Sequence, residues 1–156
     1  MVLVPLVSLV GGVMLTGGCI GKEVEAQHQE TPVPIIEGIT PQEAFTLIQE
    51  NEDNPDFVII DMRTPGEFTE EHIEGTINLD YYSETFRDEL DKLSKNKTYL
   101  IYSLREQRTC CRFTVIEVSK YALLIMEELN FREVYNMLGG INQWEREGFP
   151  TTQETP

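Results

Sequence analysis

The sequence predicts an α/β protein in which helices cover both faces of a mostly parallel central sheet. From residue 39 onward, short apolar runs of strand type alternate with segments of helical periodicity, and this alternation is typical of a three-layer α/β/α fold. The run 57–61, "FVIID", is apolar up to its final aspartate, as expected for a strand buried on both faces. Ligands of such sheets bind beyond the carboxyl ends of the strands, so functional residues are expected there.

The first elements are marked by two helix starts of the same kind. Thr40, Pro41 and Glu43 form a capping box with proline at the first helical position, which predicts a helix from this point. The segment 64–68, "TPGEF", repeats the pattern and predicts a second, short helix. Residues 76–80 then predict another strand.

The later elements follow the same alternation. Phe86, Leu90 and Leu93 share one face of a predicted helix. The remaining predictions are a strand at 98–102, an apolar periodic stretch to Leu129, a strand at 133–137, and a short helix closed by Gly148.

Composition narrows the class of function. A chain of 156 residues with a net charge of −15 predicts one domain that does not bind nucleic acid, because phosphate contacts need a basic surface. The three cysteines include no CxxC pair, so neither a disulfide framework nor a zinc site is expected. No acidic cluster has metal-ligand spacing, and we expect no metal and no cofactor.

The first twenty residues differ from the rest because they carry no charge. Their end, Leu15-Thr16-Gly17-Gly18-Cys19, resembles the lipobox of prokaryotic lipoproteins, in which the signal is cut before a cysteine that is then lipidated. The alternative is an uncleaved anchor helix, since twenty apolar residues can span a bilayer. Both interpretations tether the protein to a membrane through its N-terminus, on the extracytoplasmic face.

Four segments are therefore expected. They are a signal-like or anchor segment (1–19), a flexible linker (20–38), a folded domain (39–151) and a tail (152–156).

Within the folded domain, five motifs occur in a characteristic order and spacing. They are Asp61-x-Arg63, Glu67-Phe68, His72-Ile73-x-Gly75-x-Ile77-Asn78, Gly139-Gly140-Ile141 with Trp144, and Gly148-Phe149-Pro150. Together they resemble the rhodanese-like domain family over residues 39–150. The resemblance implies sulfur transfer, in which a loop cysteine takes sulfane sulfur from a small anionic donor such as thiosulfate. The cysteine persulfide then passes the sulfur to a thiol acceptor.

The family's active loop, resembling C-R-x-G-x-R-S, follows the strand 98–102, and its register here is open. Aligned forward from the strand, Ser103 takes the cysteine position and Glu106 the glycine position. A serine hydroxyl forms no persulfide, so this register gives an inactive protein. Aligned backward from 119–131, Ser119 takes the closing serine and Cys111-Arg112 the start of an enlarged loop.

A third interpretation makes Cys111 structural. Apolar residues recur at helical spacing and would place this cysteine on the buried face of a long helix: Cys111, Val115, Val118, Ala122, Ile125 and Leu129.

Three arginines, Arg105, Arg108 and Arg112, lie close together in a chain with only 12 basic residues. This local positive charge can attract an anionic donor, or it can pair with nearby acids such as Glu106 and Glu117.

Other motif residues have structural interpretations. We expect Asp61 and Arg63 to pair across a strand-to-helix turn, and His72 to anchor a turn rather than transfer protons. Gly139-Gly140 predicts a tight turn, and Trp144 predicts a core position.

The leading hypothesis is thus a membrane-tethered, monomeric sulfurtransferase with Cys111 as first candidate for the persulfide carrier and Cys110 as second. The rival is a non-catalytic binding module that has lost its loop cysteine, with Ser103 in its place.

Overall fold

The computed structural model describes residues 34–104 and 118–153. The chain divides into two units, Met1–Glu30 and Thr31–Pro156, and every element described here belongs to the second. The strands are β1 (Ile35–Ile39), β2 (Phe57–Asp61), β3 (Thr76–Asn78), β4 (Thr98–Tyr102) and β5 (Glu133–Met137). The helices are α1 (Pro41–Glu50), α2 (Pro65–Glu70), α3 (Phe86–Lys92), α4 (Val118–Glu128) and α5 (Gly140–Arg146).

The strands form one sheet in the order β1-β5-β4-β2-β3. Every pairing among them is parallel, which confirms the predicted α/β class with its mostly parallel sheet. Strand β4 lies in the middle, between β5 and β2. All strands therefore end at the same edge of the sheet, and the residues after β2 and β4 lie side by side there.

Apolar side chains form one core on each face of the sheet, so the structure has three layers. Along β4, Tyr99 and Ile101 point to the face covered by α3 and α4. Leu100 and Tyr102 point to the opposite face, which α1 and α5 cover. Trp144 is fully buried in this second core, as the sequence predicted.

The two predicted capping boxes are present. In α1 the Glu43 carboxylate accepts from Thr40 N at 2.8 Å, and Glu43 N donates back to Thr40 Oγ1 at 3.3 Å. In α2 the Glu67 carboxylate accepts from Thr64 N at 3.1 Å. Two backbone donors at the start of α1 and one at the start of α2 thus find partners without tertiary contacts.

Two predicted boundaries are wrong. The expected linker reaches residue 38, but Ile35–Gly38 belong to β1, which pairs in register with Glu133–Met137. This strand lies at the sheet edge, where three of its five residues are exposed, and its sequence IIEGI lacks the apolar–polar alternation by which half-buried strands are recognised. Strand β3 ends at Asn78, two residues before the predicted end.

Helix α4 begins in the described chain at Val118. The proposed extension of one apolar helix face back to Cys111 lies outside the described residues. Within the described ranges, no helix has the length and apolar character needed to cross a bilayer; the apolar segment 1–19 falls outside them.

The turn from β5 to α5 brings the chain into close contact with the end of β4. Gly139 and Gly140 both have positive φ, 79° and 58°, as the predicted tight turn requires. A Cβ atom on Gly140 would lie 2.1 Å from the carbonyl oxygen of Ser103. The same oxygen accepts a hydrogen bond from Ile141 N at 3.0 Å, so only glycine permits this approach.

Substituting Gly140→Ala should therefore lower the free energy of unfolding by at least about 2 kcal/mol, because it combines backbone strain with a clash against main chain. Urea unfolding of the two proteins measures the difference. Gly66→Ala in α2 is the matched control, since a Cβ there meets no atom within 4 Å. We expect the control to be neutral or stabilising by up to about 1 kcal/mol. Equal effects of the two substitutions would contradict the clash.

Candidate functional site

Ser103 is the first residue after β4 and lies at the carboxyl edge of the sheet. Its carbonyl oxygen is held by Ile141 N, and its hydroxyl donates to the Leu104 carbonyl at 3.1 Å. Within the described ranges, the hydroxyl makes no hydrogen bond to a histidine or a carboxylate. Among the described residues, Ser103 therefore has a fixed place at the strand end and no base of the kind that a serine nucleophile needs.

An ion pair after β2 holds the neighbouring part of this edge. Asp61, the last residue of β2, is 0% exposed and accepts from Arg63 N at 2.8 Å. The Arg63 side chain donates to the same carboxylate from Nε at 3.0 Å and from Nη2 at 2.6 Å. Arg63 Nη2 also donates to the carbonyl of Glu71. The predicted pairing across the strand-to-helix turn is thus confirmed.

The electrostatics of this pair favour an ionised arginine. Burial opposes the charge of Arg63, but the hydrogen bond and the negative charge of Asp61 outweigh it and raise the pKa of the guanidinium. Tyr102, which lies beside Asp61 in register on β4, has a raised pKa because it is buried and because Asp61 is negatively charged. The phenol therefore stays neutral and accepts a hydrogen bond from Ile73 N at 3.2 Å.

His72 contacts the end of α2 through its ring and the C-terminal segment through its main chain. Its Nδ1 lies 2.8 Å from the Phe68 carbonyl oxygen, and its ring stacks on Phe68 with centroids 4.0 Å apart. Its main chain forms two hydrogen bonds with Thr152, of 2.9 and 2.8 Å. The expected tail at 152–156 therefore begins too early, because Thr152 is bound to the domain.

Two asparagines at this edge were given no role by the sequence analysis, although Asn78 ends one of the five motifs. Asn78 Nδ2 donates to the carbonyl oxygens of Asp61 at 3.1 Å and Arg63 at 2.8 Å, which ties β3 to the turn after β2. Asn136 on β5 is 5% exposed, and its Oδ1 has no hydrogen-bond partner among the described residues. The available signal was a polar residue at or near the end of an apolar strand.

The remaining candidate residues lie outside the described residues. These are Cys110, Cys111, Arg105, Arg108 and Arg112 between β4 and α4, and Cys19 near the N-terminus. The structure thus brings together Ser103, Asp61, Arg63 and His72 around the ends of β2 and β4. Across residues 34–104 and 118–153, no group of histidine, cysteine and acidic side chains is arranged to hold a metal ion.

Comparison with protein families gives one match, to the rhodanese-like domain, over residues 43–147. Because the match covers more than half of the chain, this protein belongs to the rhodanese-like domain family. A search of curated proteins found no match.

Solved structures with the same fold come from several organisms. A rhodanese-related protein from Thermoplasma volcanium has a TM-score of 0.58 and 21% identity, covering 76% of this chain and 99% of its own. The rhodanese-like domain of an Anabaena protein has a TM-score of 0.57 and 19% identity, covering 75% and 79%. A polysulfide-sulfur transferase homodimer from Wolinella succinogenes has a TM-score of 0.55 and 23% identity, covering 77% and 80%. At these identities the likeness shows the fold alone.

Breaking the buried ion pair should cost far more than breaking an exposed one. Asp61→Asn leaves the Arg63 charge buried without its counter-ion, and we expect the free energy of unfolding to fall by about 3–5 kcal/mol. The control is Arg87→Gln, which removes the exposed pair between Arg87 and Glu128, 2.9 Å apart, and should cost less than about 1 kcal/mol. Guanidinium unfolding of both variants measures the contrast. A loss at Asp61 as small as that at Arg87 would show that the pair does not hold the turn.

Proposed function

We propose that this protein transfers sulfane sulfur through a cysteine persulfide, with Cys111 as the carrier and Cys110 as the second candidate. The observation that carries the proposal is the position of these two thiols. Both lie in the segment that joins β4 to α4, and β4 is the central strand of a rhodanese-like sheet. Ligands of parallel sheets bind beyond such strand ends.

The reaction with thiosulfate proceeds in two balanced steps. The cysteine thiolate attacks the outer sulfur of thiosulfate, a sulfur–sulfur bond forms, and sulfite leaves with the electron pair of the bond that breaks. A thiolate acceptor then attacks the outer persulfide sulfur and regenerates the cysteine thiolate. Arg105, Arg108 and Arg112 supply positive charge that attracts the anionic donor and stabilises the thiolate.

The described residues contribute rigidity at the strand ends. The Asp61–Arg63 pair holds the turn after β2, and Ile141 N holds the carbonyl of Ser103. A persulfide loop that follows Ser103 thus starts from a fixed point, which lowers the entropic cost of orienting donor and carrier. Ser103 itself plays no chemical part in this proposal.

The test uses the full chain, reduced and kept in mild detergent, and treated with thiosulfate or with a polysulfide. Intact mass spectrometry should show a gain of one sulfur atom that cyanide releases. Cys111→Ser should abolish the gain, and peptide mapping assigns the sulfur in the parent. Cys110→Ser is the matched control and Ser103→Ala a second one; both should keep the gain. Full sulfur loading of the Cys110→Ser/Cys111→Ser double variant would refute the assignment.

A second candidate function is a binding module without sulfur transfer, and one observation favours it. Ser103 follows β4 directly and has no base within hydrogen-bond reach among the described side chains. If Ser103 replaces the loop cysteine, Cys110 and Cys111 are ordinary thiols. They should then react slowly with an alkylating reagent at mildly acidic pH, whereas a persulfide-forming thiolate of low pKa should react fast. Slow labelling together with no sulfur gain would exclude the persulfide mechanism and favour the binding module.

We further propose that the N-terminus tethers the domain to a membrane on its extracytoplasmic face, through a lipid on Cys19. The support is the uncharged segment 1–19 and its lipobox-like end. Expression of the full chain in a bacterial host should place it in the membrane fraction, with a mature N-terminus at Cys19. Cys19→Ser should abolish processing and lipid attachment. An unprocessed N-terminus in the parent, still in the membrane fraction, would favour the anchor-helix alternative.

A further inference from the structure

Three large side chains on the α3–α4 side of the domain are exposed. Tyr82 is 70% exposed, Tyr121 50% and Leu124 56%. With the half-buried Tyr81 they form what we call the tyrosine surface. Tyrosine is enriched at the centres of protein interfaces because it offers a large apolar area and a polar tip at small entropic cost.

The exposed ring of Tyr82 is held in place from the core outward. Phe86 is buried, and its ring packs against Tyr81 with centroids 5.2 Å apart. Tyr81 in turn meets Tyr82 edge-on at 5.5 Å and 84°. The backbone turn is fixed as well, since Asp80 Oδ1 accepts from Tyr82 N at 2.9 Å. A pre-ordered aromatic side chain loses little entropy when a partner covers it.

Helix α4 supplies the other half of the surface. Tyr121 and Leu124 are three residues apart and lie on the same helix face. Val118, one helical turn before Tyr121, packs against the same core cluster as Tyr81. Burial raises the pKa of the Tyr81 phenol, and the phenols of Tyr121 and Tyr82 raise it further. Arg87 of α3 and Glu128 of α4, 2.9 Å apart, join the two helices beside this surface.

The charges on these elements are mostly negative. Between residues 80 and 92 and within α4, the acids are Asp80, Glu84, Asp88, Glu89, Asp91, Glu127 and Glu128. The basic side chains on the same segments are Arg87, Lys92 and Lys120, and the pair of Arg87 with Glu128 cancels one charge of each sign. A positively charged partner is attracted by these acids, and lysine or arginine also binds favourably over tyrosine ring faces. The net charge of −15 opposes a second copy of the chain and an anionic bilayer as occupants.

We propose that the tyrosine surface is the docking site for a protein segment that carries lysine or arginine side chains around an apolar one. The surface begins at the carboxyl edge of the sheet, where Tyr81 N donates to the Met62 carbonyl at 3.2 Å. A segment bound here lies on the edge that also carries Ser103. The inference does not depend on sulfur transfer.

The test uses the full chain in mild detergent as bait for a random linear peptide library. Selected peptides should be enriched in lysine and arginine next to an apolar residue. The best of them is then synthesised, and its affinity is measured by fluorescence anisotropy. We expect Tyr82→Ala and Tyr121→Ala each to weaken binding by about tenfold or more. Tyr82→Phe should retain most of the affinity because the ring face remains.

Leu124→Ala and Leu138→Ala form the matched pair of controls. Both leucines are exposed, but Leu138 belongs to the β5–α5 turn, so only Leu124→Ala should weaken binding. Urea unfolding verifies that each variant is folded. The proposal is overturned by failure to select any peptide, by selection of acidic peptides, or by affinities that the tyrosine variants leave unchanged. Self-association that Tyr82→Ala abolishes, seen by sedimentation, would overturn it in favour of a second copy.

Discussion

The buried contact between the Asp61 carboxylate and the Arg63 guanidinium organises the carboxyl edge of the sheet. The aspartate ends β2, and the arginine carries the chain into α2 while bonding the carbonyl of Glu71 at the far end of that helix. Asn78 then attaches β3 to the two carbonyl oxygens that flank this turn. One pair of opposite charges thus connects a strand, a helix and the next strand, and the low exposure of both side chains makes the contact costly to break.

A second constraint acts on the central strand. The end of β4 is held by the first turn of α5, because Gly140 lets the main chain approach the Ser103 carbonyl more closely than any side chain would permit. Helix α5 is itself fixed by Trp144, whose Nε1 donates to the Pro150 carbonyl at 2.9 Å. The two strand ends beside which a ligand would bind are therefore positioned by different means, one ionic and one steric.

The sequence alone was sufficient to predict those parts of the fold whose signal comes from residues close together in the chain. The capping boxes at Thr40 and Thr64 and the strand 57–61 are formed by residues that are neighbours in sequence. Their patterns can therefore be recognised without knowing the tertiary structure. The pairing of Asp61 with Arg63 was predictable for the same reason. Strand β1 was missed because main-chain pairing with β5 holds it in the sheet, and its own side chains contribute little to that pairing.

The candidate site was less predictable because its chemistry depends on register. Ser103 and Cys111 are alternative candidates for the position of the family's loop cysteine, and neither composition nor periodicity decides between them. Asn78 donates to carbonyl oxygens 15 and 17 residues away in sequence, and Asn136 Oδ1 is buried without a partner among the described residues. The positions of both near strand ends could be read from the sequence, but these contacts could not. The family resemblance supplied the fold and the expected reaction, while the assignment of a carrier cysteine stays a prediction.

The position of β1 has a consequence for how the chain acquires its structure. In the described sheet β1 lies at one end and pairs with β5, with Ile35 opposite Glu133. Of the five described strands, the first to be synthesised can therefore pair only after the last has been made, and the loop closed by their pairing contains the other three. Closing so long a loop is entropically costly and slows folding. Until β5 arrives, β1 remains an unpaired strand with isoleucines at three of its five positions, and is open to pairing with other chains.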